Sequence, residues 1–189
     1  MAKNIMVLAM STLSVHSEGE QIKSNIFAWK ENDVDAKDYY SQLEPASRMI
    51  REREGSLDKI IILATPATKE LKKFEYGGSS LEISAVDFYL ERMKTTETDI
   101  PFNPEVEVID LDENEIVEAI SQTVDSIRNY WLENIKDEPK LWIDTQGGFR
   151  DISLMINAVI SLLKGDIKPS GIYAVKFSGG KNSVKHIED

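Results

Sequence analysis

Five short apolar runs separated by stretches of helical periodicity constrain this chain more than any other feature. Residues 4–10 (NIMVLAM), 59–65 (KIIILAT), 105–111 (EVEVIDL), 140–145 (KLWIDT) and 170–177 (SGIYAVKF) read as strands. The clearest helices fall between them. Residues 42–54 (QLEPASRMIRERE) place Pro45 in a first turn. Residues 113–135 carry an apolar stripe of Ile116, Ile120, Val124, Ile127 and Trp131. Residues 149–165 are apolar around much of the helix and end at Gly165. Strand–helix alternation of this kind predicts an α/β fold, a mainly parallel sheet with helices on both faces.

The remaining segments carry weaker signals. Residues 22–30 (IKSNIFAWK) read as an extended segment or hairpin arm, and 66–74 (PATKELKKF) as a helix opened by Pro66. Residues 75–80 (EYGGSS) read as a flexible loop. Over 79–94, Leu81, Ile83, Val86, Phe88, Tyr89 and Met93 recur at mainly helical spacing. The turn SGGKN and the following SVKHIED predict a C-terminal β-hairpin at one end of the sheet. No repeat, low-complexity tract or linker interrupts the 189 residues. Residues 1–189 are expected to form one domain, complete or part of a longer protein.

Composition narrows the chemistry. With no cysteine, thiolate catalysis, disulfides and cysteine-bound metal centres are excluded, and a reducing cytoplasm is the expected home. The first apolar run is too short to span a bilayer and lacks the layout of a signal peptide. A net charge of −11 argues against long duplex nucleic acid, which is gripped by many Lys and Arg contacts. A small anion held by local donors and helix N-termini remains compatible with that charge.

The stretch LWIDTQGGFRD (141–151) combines an expected strand end with unusual residues. In an open parallel sheet, ligands gather where strands end, near a topological switch point. Glycines at 147 and 148 let backbone approach a ligand, Thr145 and Gln146 offer neutral donors and acceptors, and the fork of Arg150 suits phosphate or a base edge. Backbone amides over 146–149 are expected to face phosphates. The plainer alternative has Asp144 or Thr145 capping the helix, the glycines making a turn and Arg150 pairing with a surface acid. The first strand runs into MSTLSVHSEGE (10–20), which sets Ser11, Thr12, Ser14, His16 and Ser17 beyond its end. Thr65 and Thr68 follow the strand at 59–65, where Lys69 is either solvated or within reach of a phosphate. Tyr76 is a candidate for stacking on a base.

Several common sites are absent from the sequence. Neither GxxxxGK[ST] nor GxGxxG occurs, so a P-loop or a dinucleotide redox site is not expected. His16 and His186 are the only histidines. A Ser11–His16 pair lacks a legible orienting carboxylate. No HExxH or DxDxDG pattern marks a metal site, and no metal or cofactor is expected.

The strand followed by DTQGGFRDISLMINAVISLL resembles the D-x-[TS]-x-G-x-R turn and apolar helix of CRISPR-associated Rossmann-fold (CARF) domains. It is most similar to the group with an Asp-Ile-Thr-His-Gly-Phe-Arg turn. IMVLAMSTLS resembles that family's first strand and its Ser/Thr loop, and YYSQLEPASRMI and KIIILATPATKE resemble the next helix and strand. The likeness covers essentially the whole chain in order, but only the 144–150 turn is specific. The family pattern often has His before one glycine; this chain has Gln146 and an additional small residue, Gly147.

The resemblance implies a Rossmann-like homodimer that binds a cyclic oligoadenylate, tetra- or hexa-adenylate, across its two-fold axis. Ser11, Thr12 and Leu13 from the first loop, Thr65, and Thr145, Gln146, Gly147, Gly148, Phe149 and Arg150 are the expected ligand-binding residues. Most relatives join this sensor to an effector. A free-standing ring nuclease is the other possibility, with Ser11, Thr12 and Arg150 as catalytic candidates that position a ribose 2′-hydroxyl against its phosphate. Two readings from outside the family stay open: a flavodoxin-like enzyme binding a mononucleotide, and an interaction domain without a ligand.

Overall fold

The computed structural model describes residues 3–16, 20–22, 25–29, 37–41, 43–95, 102–112, 115–148, 152–163, 165–178 and 181–187. In chain order the elements are β1 (Asn4–Ala9), β2 (Asn25–Trp29), β3 (Lys37–Tyr39), α1 (Glu44–Glu54), β4 (Lys59–Ala64), the short α2 (Pro66–Lys69), β5 (Lys72–Tyr76), β6 (Ser79–Ile83), α3 (Ala85–Lys94), β7 (Glu105–Asp110), α4 (Ile116–Glu133), β8 (Lys140–Asp144), α5 (Ile152–Leu162), β9 (Pro169–Ser178) and β10 (Lys181–Ile187).

One sheet runs in the order β3-β2-β10-β9-β8-β1-β4-β7. From β7 through β9 every pairing is parallel. β1 and β4 lie inside this parallel block and are buried along their whole length, which explains their continuous apolar sequences. Side chains alternate between the two faces. Met6, Leu8, Ile60 and Ile62 pack with α1 and α3 through Ala46, Ile50, Val86 and Tyr89. Ile5, Val7, Ile61 and Leu63 pack on the other face with Val124 and Ile127 of α4 and Met155 and Ile156 of α5. Each such side chain contributes roughly 1.5–3 kcal/mol relative to leaving it in water.

The helix ends follow local chemistry. Pro45 lies in the first turn of α1, and Gly55 closes that helix in a left-handed conformation with its N–H on the Arg51 carbonyl. Ser84 caps α3, its hydroxyl accepting from the Asp87 N–H at 3.0 Å.

The structure corrects four expectations. Of residues 66–74, only Pro66–Lys69 is helical; β5 begins at Lys72. Residues 75–80 are no flexible loop, because Gly77 and Gly78, both at positive φ, turn β5 into β6 as a tight two-residue hairpin. Residues 79–83 are therefore a strand, and the helix expected over 79–94 starts only after Ser84. The β9–β10 hairpin forms as expected, but it does not close the sheet. β10 continues into a parallel pairing with β2, and β2 pairs antiparallel with β3 at the far edge.

Candidate functional site

The first-strand loop and the 144–148 turn meet on one rim of the sheet. β1 and β8 are parallel neighbours in register, Leu8 opposite Asp144, so their carboxyl ends emerge together. The Ser11 hydroxyl accepts a hydrogen bond from the Gly148 N–H at 3.0 Å. Accepting there fixes the Ser11 oxygen and leaves its own O–H hydrogen to donate elsewhere.

The two glycines have different reasons to be there. A Cβ on residue 147 would lie 1.8 Å from the Ala9 carbonyl oxygen and 3.0 Å from the Leu43 side chain. Only glycine lets the turn lie flat on the end of β1. Gly148 has φ +89°, which other residues avoid.

Inside the turn, much of the hydrogen bonding is already committed. Asp144 is fully buried, and its Oδ1 accepts from the Gln146 N–H at 2.7 Å. It thus caps the turn itself, the arrangement an Asx residue offers its own backbone two positions on. Thr145 donates both its N–H (3.0 Å) and its hydroxyl (2.8 Å) to the Tyr173 carbonyl of β9. Its side chain therefore anchors the turn to the next strand. The amides of Gln146 and Gly148, expected to hold phosphate, are occupied by Asp144 and Ser11.

Other atoms of the turn have nothing to bond. Asp144 Oδ2 and both amide atoms of Gln146 are buried without a hydrogen-bond partner. Each such atom costs roughly 1–3 kcal/mol, and native proteins tolerate few of them. Burial pushes the Asp144 carboxyl up to about 8, against the opposing hydrogen bond from Gln146, so at neutral pH it is mainly uncharged.

The other candidate residues scatter along and beneath the rim. Thr12 is exposed, while Leu13 is half-buried against the core. Thr65 is half-buried at the end of β4, where its carbonyl receives the Thr68 hydroxyl. Phe149 and Arg150 lie outside the described residues, as does Ser17. Exposed His16 donates its N–H to the Gln21 carbonyl, and the loop folds back there through a Val15–Ile22 bridge. Lys69 is ion-paired with Asp110. Tyr76 is enclosed edge-on by Tyr40 and Phe88, at 4.9 and 5.3 Å, and its hydroxyl accepts from Arg92.

Sequence reasoning missed the support under the turn. Leu43, just before α1, packs against Gly147, and Glu44 is fully buried. The Glu44 carboxylate accepts from the Ser41 N–H at 2.9 Å and pairs with Arg48 at 2.8 Å and Arg92 at 3.3 Å. Deeper still, the Ser47 and Tyr89 hydroxyls share a 2.5 Å hydrogen bond. Burial raises the Tyr89 phenol, and the nearby Asp144 and Glu44 carboxylates raise it further. The only sequence signal for this polar layer is that Glu44 directly precedes Pro45 at a helix start.

Fold and rim together define a Rossmann-like α/β protein whose candidate site sits where parallel strands end. No family model matches the chain, and no curated protein matches it. Among the described residues, no group of three or more His, Cys, Asp or Glu could hold a metal ion, and no helix is long and apolar enough to cross a membrane.

Proposed function

We propose that this chain is a cyclic oligoadenylate-binding sensor domain of type III CRISPR defence, of the CARF kind. It takes the ring across the two-fold axis of a cytoplasmic homodimer and relays the signal to an effector. One observation carries the reading. The 3.0 Å Ser11–Gly148 hydrogen bond joins, at a single point, the two motifs on which the family resemblance rests.

The chemistry of the rim supports it. The Ser11 O–H and the exposed Thr12 hydroxyl are neutral donors suited to phosphate. Arg150, outside the described residues, is the cation the sequence offers beside them. A carboxylate buried under a polyanion would repel it; Asp144, held mainly uncharged at neutral pH, does not. A ring of repeated nucleotides suits a two-fold interface, where each protomer offers the same patch. Leu154 and Leu162 stand 70% and 54% exposed on α5, the helix after the turn, and a homodimer contact would cover them.

A stand-alone ring nuclease is the second reading, favoured by Ser11. Its oxygen is fixed and its hydrogen remains to stabilise charge developing on a phosphate. Calorimetric titration with cyclic tetra- and hexa-adenylate tests the sensor, and chromatography of linear products tests the nuclease. A thermal shift with mononucleotide alone would point to a flavodoxin-like enzyme, and silence toward every nucleotide to an interaction domain. Arg150→Ala is expected to weaken ring binding by roughly 1.5–3 kcal/mol, the worth of a charge-assisted contact.

A further inference from the structure

We infer that the side-chain amide of Gln146 reads the bases of the ligand, and does so by turning out of the position it occupies here. The inference rests on the ring-binding reading above. It starts from the distribution of buried polar atoms that lack a partner. Asp144 Oδ2, Gln146 Nε2 and Gln146 Oε1 all fall within three residues of the rim turn. The backbone of Gln146 is fixed, its N–H held by Asp144 at 2.7 Å. Its neighbours are fixed as well: Thr145 by Tyr173, Gly147 by close packing on Ala9, and Gly148 by Ser11. The turn therefore holds a half-buried residue rigidly at its Cα while the end of its side chain bonds to nothing.

Swinging that amide out gives up no hydrogen bond, so any bond it makes to a ligand is a net gain. A carboxamide carries a donor and an acceptor side by side. Phosphate oxygens offer acceptors only and would leave Oε1 unmatched. An adenine edge offers both complements, the N6 amino group beside a ring nitrogen, and Gln pairs with it in two bonds. Thr145 cannot serve in this way, because its hydroxyl is spent on the Tyr173 carbonyl. The division of labour is then Ser11 and Thr12 toward phosphate and ribose, Gln146 toward base.

A four-way comparison tests this. Wild type and Gln146→Met, which keeps length and removes the amide, are each titrated with cyclic tetra- and hexa-adenylate and with the same rings carrying purine in place of adenine. Purine lacks the N6 amino group on either edge. Wild type is expected to bind the purine ring at least tenfold more weakly. Gln146→Met should bind the adenine ring weakly by a similar factor and be indifferent to the swap. Because the amide has no partner at rest, the variant should also melt no lower than wild type. Equal losses on the swap in both proteins, or a melting point several degrees lower in the variant, would overturn the assignment while leaving ring binding intact. No binding of any of these rings, tetra- or hexa-, by wild type would remove both the assignment and the reading beneath it.

Discussion

The two ends of the parallel sheet treat their polar groups in opposite ways. At the amino end, Asp58 Oδ2 accepts from the Asn4 N–H at 2.8 Å and the Ser56 hydroxyl at 2.7 Å. Asn4, fully buried, donates to Ser56 at 3.2 Å and accepts from the Trp142 indole at 2.9 Å. Nearby, burial works against the charge on Lys59, but hydrogen bonds to Glu105 and Glu107 outweigh it and raise the ammonium pKa. Not every group there is matched: the Tyr130 hydroxyl is buried without a partner beside an open groove of about 570 Å³. At the carboxyl end, a backbone amide rests on a side-chain hydroxyl, a carboxyl is half-satisfied and a side-chain amide is unsatisfied. One end locks strands together. The other retains unmet hydrogen-bonding capacity and is where a ligand has something to offer.

The largest difference between the ends should come from Gly147→Ala. Its Cβ would meet backbone rather than a yielding side chain, so the turn must lift from β1. A loss of about 3 kcal/mol in denaturant unfolding is expected, the upper range for overpacking. Gly55→Ala, with open space around it and only a positive φ to violate, should cost about 1 kcal/mol. Equal costs would mean that the turn does not bear on β1.

Removing one carboxyl from each end sharpens the contrast. Asp58→Ala strands the buried Asn4 amide and should cost about 2 kcal/mol. Asp144→Asn should instead reveal a pH dependence. The folded Asp144 carboxyl is pushed up to about 8 from 3.8, so between those values the folded state holds a proton that the unfolded state has released. Its contribution is complete below about pH 4 and is lost as pH rises through about 8. Relative to wild type, Asp144→Asn should therefore gain stability steadily from pH 5 to pH 8 and level off above. Parallel stability curves for the two proteins would contradict a buried, protonated carboxyl.

The smallest effect belongs to Ser11→Ala. It removes one neutral hydrogen bond, worth about 1 kcal/mol, and should shift the denaturation midpoint only slightly. If it destabilises as strongly as Asp58→Ala, the rim is a structural clamp like the opposite end.

The sequence was most legible where one physical demand dominated. Burial on both faces wrote continuous apolar runs into β1 and β4, and the stripe of α4 declared its inner face through Val124 and Ile127. The Gly-rich turn and the serine loop announced themselves by residue type, and the parallel register of β1 and β8 brought them together. The β5–β6 hairpin stayed hidden because five-residue strands with Phe74 and Leu81 opposed overlap the spacing of a helix. The twin glycines were the better guide. That Thr145 bonds Tyr173 was not legible, since it depends on which strand lies beside β8. Nor was the burial of Asp144 and Glu44, since an acid beside a turn or a proline looks the same on a surface.

Hydrogen–deuterium exchange with and without cyclic tetra- or hexa-adenylate tests most directly whether the two motifs act as one binding surface. Slower exchange is expected together in peptides covering 10–14 and 144–150, with no change around Ser56, Asp58 and Glu105 at the opposite end. Protection confined to one of the two segments, or appearing only at the amino end of the sheet, would contradict it.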